Sequence, residues 1–382
     1  MIKKKIAYVS GTRADYGLMT SILKAIRNSK KLELRLYATG IHLMPKFGMT
    51  VNEVKREFPA VKTIDAIFES DGRLGMAKFI GEFSQKLVME FNKNRPDLVL
   101  TLGDRPEMLC VATACLYLGI PTAQVHGGEK TFTVDEVARH AITKLSQIHF
   151  PATKESAVRI KKMGEEDWRI HAVGAPALDT ILNEKLPSRK EVKKYLNFNP
   201  KENFILITQH PVSEEYQKAG KQIEETLAAV KHFQLPAVII YPHADAGGRK
   251  IIEVIDKEKK NPLFRILPSV PYKMFLALER EAAVWVGNSS AGMIESASFK
   301  TPVVNVGTRQ LGRQHGENVI NVDYDRKEIS SAIKKSLFDK NYQKKLAKVT
   351  NPYGDGKTGP RVAKILENLK LDSKLLIKQI TY

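Results

Sequence analysis

Short apolar runs alternate along the chain with longer stretches in which apolar residues recur at helical spacing. The apolar runs of the first half predict strands at Lys5–Ser10, Leu32–Ala38, Leu98–Leu102, Thr122–Val125, Ile148–Pro151 and Arg169–Val173. The stretches between them predict helices, for example Leu18–Arg27, Phe79–Lys93 and Glu107–Leu118. This alternation of strand and helix indicates a mostly parallel sheet with helices on both faces.

A second series of the same kind follows a polar, proline-bearing segment at Leu182–Ser188, which is typical of a domain linker. Its predicted strands are Phe204–Thr208, Ala237–Tyr241, Phe264–Leu267, Ala283–Val286 and Val303–Val306. We therefore expect two Rossmann-like, doubly wound α/β domains at 1–182 and 183–360 with a cleft between them. A last helical segment at 361–382 is expected to pack back on the first domain.

Composition agrees with a globular protein of two domains, since the chain has 382 residues, of which 43% are hydrophobic and 8% aromatic. No apolar run is long enough for a membrane span, and the N-terminal segment predicts a strand rather than a signal peptide. Cys110 and Cys115 lie five residues apart on one predicted helix, which is a poor geometry for a disulfide. These features predict a cytoplasmic protein with two buried free thiols.

The formal charge of +19 raises the question of an anionic partner. The lysines are spread over many predicted helices, and no zinc-finger, RNA-recognition or helix-turn-helix signature accompanies them. Solvated helix faces explain this pattern better than a nucleic-acid site does. A positive field would still attract a phosphorylated small molecule.

The segment Val125–His140 gathers several acid and base groups at the end of a predicted strand. It follows the predicted strand Thr122–Val125, turns through Gly127-Gly128, and enters an amphipathic helix. Open α/β sheets place ligands where a strand's carboxyl end meets a helix. The ionisable residues of the segment, which predict proton-transfer chemistry, are His126, Glu129, Lys130, Asp135, Glu136, Arg139 and His140.

Two further strand ends in the first half carry candidate ligand groups. Ser10–Gly17 offers glycine, helix-start amides and Arg13 to a phosphate, but it equally fits an ordinary turn with Asp15 near the helix start. Asp104 and Arg105 follow the strand Leu98–Leu102, and Asp104 fits either a ligand group or a helix-capping acid.

The second half has its candidate anion site at Val286–Gly292, where a strand leads through small hydrogen-bonding residues into a helix predicted at Met293–Phe299. The same sheet edge would carry other polar groups at strand ends, which are His210, His243, Arg309 and Arg313, and Glu295 would lie further along the predicted helix. His210, His243 and Asp245 do not form a close ligand set by sequence, so no metal site is predicted.

In chain order the motifs are Gly-Thr-Arg-Ala-Asp-Tyr-Gly, Leu-Gly-Asp-Arg, His-Gly-Gly-Glu-Lys-Thr, Asp-Glu-x-x-Arg-His-Ala-Ile-Thr-Lys, Gln-His-Pro-Val, Gly-Asn-Ser-Ser-x-Gly and Gly-Thr-Arg-Gln-x-Gly-Arg. From about Lys5 to Leu366 this chain resembles hydrolysing UDP-N-acetylglucosamine 2-epimerases, the first enzymes of sialic-acid-type sugar synthesis. His126-Gly-Gly-Glu129 favours that branch, because the non-hydrolysing relatives carry Glu-Ala-Gly-Leu there. The resemblance implies a GT-B-like fold.

The resemblance also implies a mechanism without metal or other cofactor. UDP is eliminated from the sugar to leave a glycal, and water adds to give free N-acetylmannosamine and UDP. The candidate catalytic residues are Asp104, Glu129, Asp135 and His210. The implied sugar contacts are His42, Arg105, Glu136, Arg139 and His140, and the implied UDP contacts are Arg13, His210, His243, Ser289, Ser290, Gly292, Glu295 and Arg309.

Some relatives differ from this chain at the residues of the site. An acid replaces His126 in certain members, and asparagine replaces His243 in others. A homodimer or homotetramer is expected, with a UDP-sugar as the small-molecule partner and with neither nucleic acid nor membrane as a partner.

Two other activities remain open from the sequence. One is the same chemistry on UDP-N,N′-diacetylbacillosamine, which would give 2,4-diacetamido-2,4,6-trideoxymannose for legionaminic acid. The other is a GT-B glycosyltransferase. UDP-N-acetylglucosamine is the substrate that the sequence favours.

Overall fold

The computed structural model describes residues 3–69, 72–197, 203–242 and 247–381. The chain forms two compact units by its internal contacts. The first unit comprises the described residues up to Glu129, Asp135–Asn183 and those from Tyr353 onward, and the second comprises Lys130–Val134 and the described residues of Glu184–Pro352. The return to the first unit thus begins at Tyr353, earlier than the boundary at 361 expected from the sequence.

The first unit is built on a parallel sheet of six strands within the described residues, in the order β3-β2-β1-β4-β5-β6. These strands are β1 (Lys4–Ser10), β2 (Leu32–Ala38), β3 (Lys62–Thr63), β4 (Leu98–Leu102), β5 (Thr122–Val125) and β6 (Ile148–Phe150). The helices along this part of the chain are α1 (Arg13–Asn28), α2 (Val51–Glu57), α3 (Arg73–Lys93), α4 (Pro106–Leu118), α5 (Val134–Leu145), α6 (Lys154–Lys162) and α7 (Ala177–Asn183).

The second unit has the same topology, with a parallel sheet that has six strands among the described residues, in the order β12-β11-β10-β7-β8-β9. Its strands are β7 (Ile205–Thr208), β8 (Ala237–Ile240), β9 (Phe264–Leu267), β10 (Val284–Gly287), β11 (Val303–Val306) and β12 (Val319–Val322). Its helices are α8 (Arg189–Leu196), α9 (Ala219–Lys231), α10 (Gly248–Lys257), α11 (Tyr272–Glu281), α12 (Ser290–Ile294), α13 (Ser296–Phe299), α14 (Arg326–Phe338) and α15 (Lys340–Leu346).

The predicted doubly wound α/β architecture is confirmed, since each sheet is wholly parallel and has the strand order of a dinucleotide-binding fold. The predicted strand at Arg169–Val173 is wrong. That segment follows a short 3-10 turn at Asp167–Arg169, and its pairing is limited to an isolated bridge between His149 and Ile170 and to hydrogen bonds from the amides of His171 and Val173. The side chain of Arg169 explains the difference, because it is fully buried and uses its guanidinium to bind backbone carbonyls.

The C-terminal segment completes the first unit with α16 (Thr358–Asn368) and α17 (Ser373–Leu376). Helix α16 starts on the Asp179 carboxylate, which accepts hydrogen bonds from the amides of Thr358 at 2.8 Å and Gly359 at 2.6 Å. Its apolar side chains join the core formed by α1 and β1. Beyond α16, the Lys378 ammonium donates hydrogen bonds to three carbonyls at the C-terminal end of α5, those of Thr143, Lys144 and Ser146.

Within the described residues, no helix is both long enough and apolar enough to cross a membrane. Cys110 and Cys115 are both buried and reduced, as the sequence predicts. Burial raises the pKa of the Cys110 thiol to about 11 and raises that of Cys115 further. Both thiols therefore stay protonated near neutral pH and act as packing groups.

Candidate active site

The carboxyl ends of β1, β4 and β5 are neighbours in the first sheet, because these strands pair in parallel register. The loops that follow them therefore meet at one edge of the sheet. Asp104 follows β4, and the turn from His126 to Glu129 follows β5. Helix α5 adds Arg139 to the same edge.

Arg139 joins the two loops. It is 1% exposed, and its Nη1 donates to the Glu129 carbonyl at 2.9 Å while its Nη2 donates to the Asp104 carboxylate. Asp104 therefore sits in an ion pair and does not cap α4, whose N-cap residue is Arg105 and has no side-chain capping bond. The buried Gln124 side chain fixes the arrangement by donating to the carbonyls of Gly103 at 3.1 Å and Arg139 at 3.0 Å.

The turn after β5 depends on its two glycines. A Cβ on Gly127 would stand 2.4 Å from Gln124 Oε1, and a Cβ on Gly128, where φ is +75°, would stand 2.4 Å from the Ser156 carbonyl oxygen. The turn brings the His126 ring back onto Glu129, with a hydrogen bond between His126 Nδ1 and Glu129 Oε1. Both side chains are at least 95% buried.

Helix α5 also presents Asp135, Glu136 and His140. Asp135 and Glu136 lie half-buried in its first turn, where the helix dipole favours a carboxylate. His140 Nε2 lies 3.5 Å from Glu136 Oε1, which is the pairing that their spacing predicts. Burial lowers the pKa of His140, and the Glu136 carboxylate opposes that shift only in part. His140 is therefore neutral near pH 7.

The turn after β1 is a helix cap. The Thr12 side chain accepts from the Asp15 amide, and the Asp15 carboxylate accepts from the Thr12 amide. Arg13 Nε lies 2.7 Å from Glu53 Oε2, so the guanidinium is in an ion pair. Asp15 therefore caps the start of α1, as an ordinary turn would have it. The phosphate contact predicted for Arg13 stays a prediction, since the guanidinium here contacts Glu53.

His42 is fully buried, and both of its ring nitrogens have partners: Nε2 is 2.8 Å from Ser10 Oγ and Nδ1 is 2.7 Å from Thr50 Oγ1. Burial lowers its pKa, so the ring is neutral. In this conformation neither nitrogen is available to a sugar. The ring instead supports Ser10, whose hydroxyl donates to Asp15 at 2.7 Å.

Glu107 was not singled out by the sequence, although it lies directly beneath this edge. It is fully buried, and its carboxylate fills the space beside Gly11, where a Cβ would stand 2.3 Å from Glu107 Oε1. Burial raises the pKa of Glu107, and Arg105, whose Nε lies 3.4 Å from Glu107 Oε2, opposes the shift. The predicted sugar ligand Arg105 is thus partly engaged with Glu107.

The second unit organises its sheet edge around Asn288, which follows β10. The Asn288 carboxamide accepts from the His210 amide at 2.7 Å and donates to the His210 carbonyl at 2.9 Å. Its own carbonyl accepts from Gln310 Nε2 at 3.0 Å and from Arg309 Nη1 at 3.3 Å. Asn288 and Gln310 were missed as organising residues, although both lie inside quoted motifs. Their amide side chains, buried at strand ends, are the signal that could have identified them.

Ser289 and Ser290 stand half-buried at the start of α12, with Ser289 in the N-cap position and without a side-chain capping bond. The helix predicted at Met293–Phe299 is in fact two short helices, α12 and α13, that meet at Glu295. Gly292 packs against β11, where a Cβ would stand 3.3 Å from the Val303 side chain. Gly292 is therefore a packing residue in this conformation.

Glu295 is 1% exposed and lies beside the fully buried Glu279 of α11. Burial raises the pKa of Glu295 to about 7, and the neighbouring Glu279 opposes that shift. Burial and the neighbouring Glu295 raise the pKa of Glu279 well above its usual range. At least one carboxyl of the pair therefore keeps its proton near neutral pH.

His243, the remaining predicted UDP contact, lies outside the described residues, as does Asp245. Among the residues that the structure describes, no group of three or more His, Cys, Asp and Glu side chains is placed to hold a metal ion.

Comparison with known proteins gives consistent matches over almost the whole chain. Residues 24–367 match the family model described as UDP-N-acetylglucosamine 2-epimerase. A Legionella pneumophila protein named UDP-N,N′-diacetylbacillosamine 2-epimerase (hydrolyzing) is 39% identical over 380 residues, covering 99% of this chain and 100% of that protein. A Neisseria meningitidis UDP-N-acetylglucosamine 2-epimerase is 34% identical over 334 residues, covering 87% of each chain.

Among solved structures, the Methanocaldococcus jannaschii UDP-GlcNAc 2-epimerase in complex with UDP-GlcNAc and UDP superposes with a TM-score of 0.79 at 20% identity. The match covers 95% of this chain and 99% of that one. At this level of identity the likeness establishes the fold. The predicted GT-B-like class is confirmed.

Proposed function

The chain belongs to the UDP-N-acetylglucosamine 2-epimerase family, and we propose that it is a hydrolysing 2-epimerase acting on UDP-N,N′-diacetylbacillosamine. The products would be UDP and 2,4-diacetamido-2,4,6-trideoxymannose. We choose this substrate because the relative named for it is 39% identical and is matched over its whole length. The relative named for UDP-N-acetylglucosamine is 34% identical, and the match covers 87% of each chain. The comparisons thus favour the alternative substrate over the one that the sequence favours.

The first sheet edge supplies the proton-transfer groups in this proposal. Elimination removes the proton at C2 and expels UDP from C1, and hydration of the glycal returns a proton to the opposite face of C2. Two groups on opposite faces of the sugar are therefore required. Asp104, Glu129 and Asp135 are the candidates. The observation that carries the proposal is the Arg139 side chain, which contacts both the Asp104 carboxylate and the Glu129 backbone.

Neighbouring polar groups of the same edge would hold the sugar. We assign this role to Arg105, Glu136, Arg139 and His140, which lie on or beside α4 and α5. His42 supports the Ser10 hydroxyl in this arrangement, and Arg13 would bind phosphate oxygens after leaving Glu53.

The second sheet edge supplies the groups for UDP. The hydroxyls of Ser289 and Ser290, the amides at the start of α12 and the Arg309 guanidinium suit a diphosphate. His210 would donate to the departing phosphate. Glu295 would accept from ribose hydroxyls, which requires it to be ionised in the complex. Together these donors would stabilise the negative charge that develops on the leaving group.

The test is UDP release from each nucleotide sugar in the absence of any acceptor sugar. We expect rapid release from UDP-N,N′-diacetylbacillosamine and slow release from UDP-N-acetylglucosamine. NMR in D2O would show one solvent deuterium at C2 of the free product, because the proton returned to C2 comes from the medium. Release only from UDP-N-acetylglucosamine would contradict the substrate, and release only with an acceptor sugar would indicate a glycosyltransferase.

A further inference from the structure

His126 combines two unfavourable features in one residue. Its φ is +60°, in the left-handed region where a side chain is strained and glycine is not. It is also 5% exposed, and among the described residues its Nε2 atom has no hydrogen-bond partner. A buried polar atom without a partner is costly, and such features persist mainly where a site requires them.

The other ring nitrogen has a defined partner. His126 Nδ1 is hydrogen-bonded to the Glu129 carboxylate. An ionised carboxylate can only accept, so in the neutral ring Nδ1 carries the hydrogen and Nε2 carries the lone pair. The protein thus presents a buried imidazole in the tautomer that can take a proton at Nε2.

The surrounding backbone holds this pair in place. The His126 amide donates to the Phe150 carbonyl of β6 at 3.1 Å, and Arg139 donates to the Glu129 carbonyl. Arg159 donates to the Gly128 carbonyl between them. Each end of the turn is therefore fixed, and the ring has little freedom to leave Glu129.

We propose that His126 is the base that takes the C2 proton, through Nε2, and that Glu129 acts through it as a positioning residue. The inference rests on the proposed function and refines it, because it moves Glu129 from direct proton transfer to orientation of the imidazole. Glu129 also stabilises the imidazolium that forms, as a carboxylate does in a Ser-His-Asp triad.

In the elimination, the C2–H bond breaks and its proton moves to Nε2. The electron pair of that bond becomes the C1–C2 double bond of the glycal. The C1–O bond breaks, and its pair leaves on the UDP oxygen. Hydration then adds the water oxygen to C1 while a second acid delivers a proton to C2 from the opposite face, and the proton that the water loses restores that acid. The imidazolium finally loses its proton to solvent.

The test measures two reactions separately: UDP release from the nucleotide sugar, and hydration of a glycal that is supplied to the protein. It uses the variants His126→Gly and His126→Asn, because glycine relieves the positive φ and asparagine tolerates it. We expect UDP release to fall at least ~100-fold in both variants, within the usual range for loss of a general base. UDP affinity and hydration of the supplied glycal should stay within about threefold of wild type, since neither requires removal of the C2 proton. His232→Gly, at an exposed histidine of the second unit, is the control and should behave as wild type.

Glu129→Gln distinguishes positioning from a separate catalytic role. It should slow UDP release in the wild-type background and have less than about a threefold further effect in His126→Gly, because residues acting as a unit are not additive. An equal effect in both backgrounds would overturn the pairing.

UDP release within about tenfold of wild type in either His126 variant would overturn the assignment of the base, since loss of a general base usually costs more. A parallel fall of UDP release and glycal hydration would do the same. These outcomes leave the proposed function intact. A wild-type protein that releases no UDP from either nucleotide sugar would overturn the proposed function and this inference with it.

Discussion

The two units share one strand order but differ in the chemistry of their sheet edges. The edge of the first unit is built from charged pairs, such as Asp104 with Arg139 and His126 with Glu129. The edge of the second unit is organised by neutral amides, with Asn288 and Gln310 at its centre. The same framework therefore carries opposite kinds of polar group at equivalent places.

The difference follows from what each edge has to do in the proposed reaction. Proton transfer requires groups that change charge, and such groups need nearby partners of opposite charge. Binding a diphosphate requires donors that are fixed before the ligand arrives, and amides and hydroxyls give such donors without a charge to desolvate. The identity of the loops, and not the fold, determines the function of each unit.

The largest effect is expected from Asp104→Asn in the first unit. Turnover should fall about 10³-fold, within the usual contribution of general acid–base catalysis, because the amide cannot exchange a proton and no longer pairs ionically with Arg139. UDP release measures the rate. Affinity for UDP should be nearly unchanged, because the proposed UDP contacts lie chiefly in the second unit.

Glu33→Gln is the matched control for this variant, since Glu33 is a partly exposed acid on β2 of the same unit that pairs with Arg35. It should retain wild-type turnover. Near wild-type rates of UDP release in Asp104→Asn would contradict the proposal that the first sheet edge carries out proton transfer.

A smaller effect is expected on the pH dependence of stability in the second unit. The raised pKa of Glu295, about 7, means that the folded unit holds a proton that the unfolded chain releases near pH 4.5. Stability should therefore fall as pH rises from about 4.5 to about 7, by up to about 3 kcal/mol. Glu295→Gln should remove most of this loss, because it removes the group that titrates. Trp285 fluorescence during denaturant unfolding of a Trp168→Phe background would report on the second unit.

Glu165 of the first unit should respond in the opposite direction. Burial alone would raise the pKa of Glu165, but hydrogen bonds from His149, Lys144 and Lys378 outweigh it and lower that pKa to about 2. The stability contributed by Glu165 is present above about pH 4.5 and is lost as pH falls toward 2.

For the pH dependence of the second unit, the control is Glu253→Gln, at an exposed acid of α10. An unchanged pH profile in Glu295→Gln would contradict a Glu295 carboxyl that is buried with its proton.

The smallest effect is expected from Arg309→Ala. Loss of one charge-assisted donor should weaken UDP binding about 30-fold, or about 2 kcal/mol, and should slow bound substrate much less. Titration calorimetry with UDP gives the affinity, and Arg265→Ala, at an exposed arginine of β9, is the control. Unchanged UDP affinity would exclude Arg309 from the anion site.

The sequence predicted the interior strands well because each is a short run of apolar residues bounded by turn signals. It missed β3 and β12, which lie at the edges of the two sheets and lack a continuous apolar pattern. It also placed a strand at Arg169–Val173, where the decisive interaction is a buried arginine bound to distant carbonyls. Contacts so far apart in sequence leave no local pattern.

The candidate site was predictable as a set of strand-end motifs but not as a set of partners. The ion pair of Asp104 with Arg139 joins a loop residue to a residue of α5 that lies 35 positions away, and no local spacing predicts it. Gln124 and Asn288 organise the two edges through buried amide contacts that depend on the folded backbone. Whether a given side chain carries a proton depends on how deeply it is buried, and the sequence does not give the burial of individual side chains.

The C-terminal return of the chain determines the order in which the units can be completed during synthesis. Every residue of the second unit has been made by Pro352. The first unit still lacks α16, whose last turn and following residue provide carbonyls for Lys4 at the start of β1. It also lacks Lys378, which binds the end of α5. On the ribosome, the later-starting unit can therefore be completed first, while the first unit still lacks these C-terminal contacts.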